Sequence, residues 1–338
     1  MRKYLISEKG QFYKANLHCH STFSDGKQTP EELKKLYMAH GYSIIAFTDH
    51  DVLIPHPELK DENFLPLNGL EYEINDKMLD GQEFDDIKTC HFCAIALEED
   101  NLFQPCWHRN GYQFGGALAH RDEVKFDDSL PDYVRAYTSE RITDMMLTCR
   151  EKGFFVTYNH PVWSLENYNE YCSYHGMHAM EMCNYGCWIA GFDEYNPQTY
   201  DDMLRNGEKI YCIMTDDNHN INNSCGAYTM IKAEKLEYRT ITKALENGDF
   251  YCSQGPEIKE LWYEDGRIYI TCSSAKEVTC VSGRRKIGVW RNGGSPVTEA
   301  NFPVSSKDGY LRFTVTDESG LHANTNAYFV EDLLKDDK

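Results

Sequence analysis

Between residue 10 and about residue 255, short apolar runs alternate with stretches of helical periodicity, and this alternation limits the fold more than any other feature. Such units bury their apolar faces as a βα architecture with parallel strands. The first unit is punctuated clearly. Tyr13–Leu17 reads as a strand. Thr29-Pro30-Glu31-Glu32 then opens a helix, with Thr29 as N-cap, Pro30 at the first helical position and Glu32 completing a capping box. Leu33, Leu36 and Tyr37 share one helical face, Gly41 ends the helix, and Ser43–Phe47 is a short buried strand. The pattern returns at Ile142, Met145, Met146 and Cys149, a helix face closed by Gly153 and followed by the strand Phe154–Tyr158. Helix Tyr200–Asn206 precedes strand Ile210–Met214, and another helix runs from Tyr238 to Asn247 before Gly248.

After Gly255-Pro256 the helical period disappears. Arg267–Cys272 and Leu311–Thr316 alternate, and turns such as Asp265-Gly266, Asn292-Gly293-Gly294 and Asp308-Gly309 separate the runs. The strand spacing predicts a small β-sandwich. The expected division is an α/β domain over 1–256, with an insertion around 98–138, and a β-domain over 257–338.

With 338 residues, 41% of them apolar and 26% charged, the chain can bury a sizeable core. No apolar run approaches membrane-spanning length, and Met1–Gly10 lacks the apolar centre of a secretion signal. The thirteen cysteines therefore read as reduced thiols of a cytoplasmic protein, with neither a disulfide scaffold nor a cysteine zinc site indicated. Thirty-four basic residues against 54 acidic ones give a net charge of −20, which argues against nucleic-acid backbones and anionic membrane surfaces as partners.

The chemistry-bearing residues cluster where apolar runs end. In His18-Cys19-His20, residues two apart share a strand face, so both imidazoles can grip one metal while Cys19 turns into the core. Asp25 follows shortly after. Thr48-Asp49-His50-Asp51 lies just past a strand, as catalytic groups do in α/β barrels; a turn or helix cap is the plainer alternative. In Asp216-Asp217-Asn218-His219, Asp217 and His219 share a face if the backbone stays extended, and Asp216 points away or supports from behind. Glu71 follows Leu65–Leu70, and His91 opens an apolar run. His160 precedes Pro161 and is expected to be extended. Each alone fits a hydrogen-bonded structural residue. A barrel, however, gathers strand ends onto one rim, and nitrogen and carboxylate ligands without thiolate suit zinc, manganese or iron.

The ordered set His18-x-His20, Ser24-Asp25-Gly26, Thr48-Asp49-His50, Glu71, His91, His160-Pro161 and Asp217-x-His219 resembles the PHP (polymerase and histidinol phosphatase) family over roughly residues 12–256. The run Tyr310–Val330 is similar to a β-domain appended in some members. The resemblance implies a distorted (β/α)7 barrel holding two or three divalent metal ions. It implies that His18, His20, Glu71 and Asp217 hold the first, that Glu71, His91 and His160 hold the second, and that Asp25, His50 and His219 hold the third. The wide spacing between Glu71 and His91 and the insertion at 98–138 depart from the pattern.

The expected activity is metal-dependent hydrolysis of a small anionic, phosphorylated substrate, a mono- or diester, by a metal-bound hydroxide attacking phosphorus in line. Asp49, His120 and His175 are the candidate general acids, and Arg121 is a candidate phosphate ligand. Phe103, Trp107, Tyr112 and Phe114 read either as a lid or, preferably, as packing. Hydrolysis of a carbamate, amide or carboxylic ester on the same metals is the second reading, because a metal can also stabilise an oxyanion. A non-catalytic metal-binding regulatory module is the third, and the complete ligand set disfavours it. Oligomeric state is not encoded in any recognisable motif.

Overall fold

The computed structural model describes residues 2–335. In chain order the first strands are β1 (Lys3–Tyr4), β2 (Gln11–Asn16), β3 (Ile44–Phe47), β4 (Leu65–Asn75), β5 (Thr89–Ala96), β6 (Phe154–Tyr158), β7 (Ala179–Asn184), β8 (Tyr211–Thr215), β9 (Tyr228–Ala233) and β10 (Phe250–Ser253). The C-terminal strands are β11 (Ile258–Glu264), β12 (Arg267–Ala275), β13 (Glu277–Ser282), β14 (Ile287–Trp290), β15 (Val297–Pro303), β16 (Tyr310–Thr316), β17 (His322–Thr325) and β18 (Tyr328–Phe329). Among the described residues no helix is long and apolar enough to cross a membrane.

The helix Pro30–Ala39 forms with the predicted capping box: Glu32 N donates to Thr29 Oγ1 at 3.3 Å and Thr29 N donates to Glu32 Oε2 at 2.9 Å. Two orphan amides at the helix start are thereby satisfied. Helices Ser139–Glu151 and Tyr238–Asn247 bury the apolar faces that their periodicity marks. Ala117–His120, which reads as the end of a strand, is a short helix instead. Its alternating small residues carry too little β-branched or aromatic character to choose the extended state.

The protein is mixed α/β with a large sheet, ordered β14-β13-β16-β17-β10-β9-β2-β3-β4-β5-β6-β7-β8. The pairs β2·β3, β3·β4, β6·β7 and β7·β8 are parallel. The all-parallel expectation fails at β5, which is antiparallel to both β4 and β6. The reversal matters for the site, because it sends the N-terminal end of β5 to the rim where its neighbours place their C-terminal ends. Side chains from β2 to β9, among them Ala15, Ile44, Leu65, Ile95, Phe155 and Ile213, meet in one cluster with Ile241 and Leu245 of helix Tyr238–Asn247. Strands so far apart in one sheet share a cluster only if the sheet curls. Past its last strand the sheet returns toward β2: Asp217 N donates to His18 O at 3.0 Å, and His20 N to Asn218 O at 3.3 Å. No continuous ladder joins β8 to β2 among the described residues.

At the other end, β1, β11, β12 and β15 form a second, antiparallel sheet. Ile258, Leu261, Ile268 and Ile270 of that sheet share a core with Val278, Phe313 and Val315 of the large one. Ile6, far upstream in sequence, joins the same core. Arg312 on β16 donates two bonds to Asp201 of helix Pro197–Arg205, both at 2.7 Å, and Tyr310 adds a third at 2.8 Å.

Candidate metal centre

Two strands, β4 and β5, and the four segments that follow β2, β3, β6 and β8 deliver nine side chains to one end of the curled sheet. His18 and His20 follow β2, and their shared facing is intact: the two Nε2 atoms stand 3.0 Å apart. Cys19 turns the other way and packs with Leu33, Tyr37 and Phe47. Glu71 and Glu73 lie on β4, and Glu73 is paired across the sheet with His91 of β5. The carboxylate of Glu71 is the centre of the array. It lies 3.2 Å from His18 Nε2, 3.3 Å from His20 Nε2, 3.4 Å from His50 Nδ1, 3.4 Å from His91 Nδ1 and 3.2 Å from His160 Nε2. Asp217 Oδ1 is 3.0 Å from His20 Nε2 and 3.3 Å from His18 Nε2. At the open side, His219 Nε2 is 3.2 Å from Asp25 Oδ2, and His50 Nε2 is 3.9 Å from it.

Two backbone expectations are corrected here. His160 is not extended before Pro161; its φ is +23°. Asp217 has φ +49°, so Asp217 and His219 reach the same cavity through a bend, not along an extended strand. Left-handed backbone at non-glycine residues is costly and is kept where surrounding structure holds a side chain in place. Close approach does the rest. A Cβ on Gly26 would fall 2.6 Å from the His20 carbonyl, and one on Gly186 would fall 2.8 Å from the carbonyl oxygens of Asp216 and Asp217. Only glycine lets those two turns seat Asp25 and Asp217.

The ligand-competent atoms fall into overlapping groups, each with its atoms within 4.8 Å of one another: His18, His20, Glu71 and Asp217; His20, Asp25, His50 and His219; His50, Glu71 and His91; His18, His160 and Glu181. The test of whether cations fit is the state of these atoms without one. Both ring nitrogens of His91, Nδ1 of His50 and Oδ1 of Asp217 are buried and have no hydrogen-bond partner among the described residues. His18 Nδ1 lies 2.7 Å from Glu181 Oε1, which leaves its Nε2 lone pair aimed at Glu71 and Asp217 in the neutral ring. Lone pairs converging in a dry site need protons or cations between them. Burial works against charging His18 and His20, yet Asp217 and Glu71 overcome it and hold both rings well above the ordinary histidine value. Burial and the neighbouring His20 push His50 the other way, down to about 3.

Glu181, on β7, belongs to this site although sequence reasoning assigned it no role. It faces His18, accepts from Thr215 Oγ1 at 2.6 Å, and accepts from the His160 backbone N at 3.1 Å. The signal was an acid inside the apolar run Ala179-Met180-Glu181-Met182-Cys183. Asn184 continues the scaffold, donating to Glu181 Oε2 and Asp217 Oδ2, both at 3.0 Å. Asp216 does point away: burial raises its pKa to about 6, while Tyr37 and the amides of Cys225, Gly226 and Ala227 bond to it.

The candidate acids and the candidate phosphate ligand lie elsewhere. Asp49 accepts from Ser21 N, Ser21 Oγ and Ser24 Oγ at 2.7–2.8 Å, which fixes the loop between His20 and Asp25. His120 pairs with Glu123 and stacks on Phe23. Arg121 bonds to Gln113. His175 is exposed and bonds to Glu208, and His178 accepts from Val156 N. His175 and His178 precede the parallel strand β7, at the end opposite the rim. None of these side chains lines the cleft over the ligand array. Among the aromatic residues of 98–138, Phe114 does line it, 5.0 Å from the His50 ring, whereas Trp107 is buried, Tyr112 stacks on Arg135 and Phe103 is exposed away from it. All thirteen cysteines are free. Cys90 and Cys93 have a CxxC spacing, but residues three apart on a strand face opposite sides; Cys90 joins the core and Cys93 accepts from Asn159 Nδ2.

The PHP domain family model matches residues 16–186, just over half the chain, and the protein belongs to that family. The match ends before Asp217 and His219, which the fold brings back to the same cavity. No curated protein matches. Among solved structures, a two-domain protein from Bacteroides vulgatus containing a predicted PHP-like metal-dependent phosphoesterase is similar at 18% identity and a TM-score of 0.44, over 96% of this chain and 97% of that one. An amidohydrolase from Chromobacterium violaceum, with sulfate bound and no metal, is similar at 16% identity and a TM-score of 0.37, over 69% and 95%.

Proposed function

We propose that the protein is a metal-dependent hydrolase and that its reaction is phosphoester hydrolysis, with His18, His20, Asp25, His50, Glu71, His91, His160, Asp217 and His219 as the ligands of two or three divalent ions. The observation that carries this reading is the buried convergence of unpartnered ring nitrogens and carboxylate oxygens on one open cleft. We also infer that β2 to β8 form a distorted seven-stranded barrel and that residues 257–338 act as a separate β-domain beside it.

Divalent ions held there would supply Lewis acidity toward the ester oxygens and an activated water. The chain's own residues do the rest. Glu181 accepts a hydrogen bond from the Nδ1–H of His18 and so aims its Nε2 lone pair inward. Asn184 keeps Asp217 from rotating. Trp163, at 5.2 Å from His91 and 5.1 Å from His160, and Phe114 over His50 cover one side of those three rings. Hydrolysis joins a water oxygen to phosphorus, breaks the ester P–O bond and returns a proton to the departing oxygen.

The test is inorganic phosphate release from pooled phosphate monoesters and diesters by manganese-loaded protein, with a chelated control and a phosphomonoesterase-coupled arm for the diesters. Chelator-sensitive release that disappears in His18→Ala and His20→Ala, with the circular dichroism spectrum retained, supports phosphoester hydrolysis. Turnover of carboxylic esters, carbamates or amides without phosphate release would replace it with carbonyl chemistry. No turnover of either class by metal-loaded protein would leave a binding module.

A further inference from the structure

The cleft over the ligand array has a volume of about 600 Å³, far more than a phosphoryl group occupies, and its walls are of two kinds. One wall is the ligand array. The other is apolar: Phe84, Phe114, Trp163 and Phe192, with Cys187 and Ala190 between them. These rings are not remote from the array. Trp163 stands edge-on to His91 and His160, and Phe114 leans on His50. The Trp163 backbone is itself fixed, since its N–H donates to the buried carboxylate of Glu194 at 2.9 Å and the Val162 N–H donates to the same group at 3.3 Å. The Trp163 side of the apolar wall is therefore anchored by the fold itself.

The remaining lining groups off the array are Glu73, Asn75, Gly186 and Asn223, and no lysine or arginine is among the described lining residues. Arg135 passes behind the site but is committed: it donates to the Glu73 carbonyl and to Asp51, and lies between the rings of Tyr72 and Tyr112. A second phosphate on a substrate would meet the Glu73 carboxylate and aromatic carbon, with no cationic side chain to pair it and only the neutral amides of Asn75 and Asn223 to replace its hydration.

We propose that this cleft takes an ester whose organic group is apolar and about the size of an aryl ring, seated between Trp163, Phe114, Phe84 and Phe192, and that it discriminates against substrates bearing a second anionic group such as nucleoside bisphosphates. The inference rests on the hydrolase reading for its reaction, but not for its binding. Burying a ring against four aromatic side chains is favourable and non-directional, whereas an additional anion finds no cationic side chain among the described lining residues.

Two measurements separate the inference from the reading beneath it. The first is calorimetric binding of 2-naphthol, an apolar alcohol, to the full chain with and without manganese, compared with adenosine 3′,5′-bisphosphate. Phe84 and Phe192 are each more than a third exposed, so Phe84→Ala and Phe192→Ala leave the core untouched. The expected result is naphthol binding that weakens about tenfold in each variant. The second is kcat/KM for naphthyl phosphate against methyl phosphate and the bisphosphate, with the naphthyl ester favoured by about tenfold or more and the preference reduced in both variants through KM. Naphthol binding without turnover of any ester would sustain the inference and sink the hydrolase reading. Efficient hydrolysis of the bisphosphate with no naphthol binding would sustain the reading and overturn the inference.

Discussion

Glu166 offers a sharp test of how this fold handles a buried acid. It follows the turn that carries His160 and Trp163, and its N–H donates to Pro161 O at 3.0 Å. Its carboxylate is almost fully buried and accepts from three tyrosines, Tyr137 at 2.8 Å and Tyr158 and Tyr174 at 2.5 Å each. Burial raises its pKa, the three hydroxyls lower it, and burial wins, pushing it up from the ordinary 4.5 to about 7. The folded chain therefore keeps a proton that the unfolded chain releases between those two values. Where the native state binds more protons, stability falls as pH rises. The contribution is fully favourable below pH 4.5, is lost progressively up to about pH 7, and is constant above it. A shift of roughly 2.5 pH units at about 1.4 kcal/mol each gives about 3.5 kcal/mol. The assay is the denaturant unfolding free energy of wild type and Glu166→Gln at pH 5, 6, 7 and 8. Subtracting the variant removes the other titrating groups, and the difference should fall by about 1.4 kcal/mol per pH unit before levelling. A flat difference, or one that rises with pH, would refute the argument that desolvation outweighs the tyrosine hydroxyls.

Three further outcomes are expected. Glu181→Gln should weaken metal affinity by about 10- to 100-fold in a chelator competition while the fold persists, because it loosens His18 without removing a ligand; unchanged affinity would assign Glu181 to packing alone. Adding manganese to chelated protein at about 100 times its Kd should stabilise it by about 2.7 kcal/mol in a melting experiment, and His20→Ala should abolish the shift. Asp201→Ala should destabilise by about 3–5 kcal/mol, because it strands the buried Arg312 guanidinium, and Asp201→Leu with Arg312→Met should recover most of that loss in the same unfolding assay.

Much of this protein was already written in local sequence. The capped helix at Thr29, the strand Phe154–Tyr158 and the helix Tyr238–Asn247 follow from capping chemistry and hydrophobic period, which act over a few residues. The shared facing of His18 and His20 and the opposite facing of Cys19 follow from the two-residue repeat of a strand. What local pattern does not carry is strand direction and pairing. The antiparallel insertion of β5 turns the start of that strand, with His91, toward the rim, and an apolar run reads the same in either direction. The bends at His160 and Asp217 run against what proline and strand continuation favour locally, and contacts distant in sequence hold them: Glu181 on the His160 amide, His18 on the Asp217 amide. Glu181 looked like one polar residue in a core strand, and His175 like a candidate general acid. Only the curling of the sheet decides that the first lies beneath His18 and the second at the far end. Side-chain chemistry is a property of the residue, but which groups share a cavity is set by long-range strand pairing, and that is where tertiary structure chose the site.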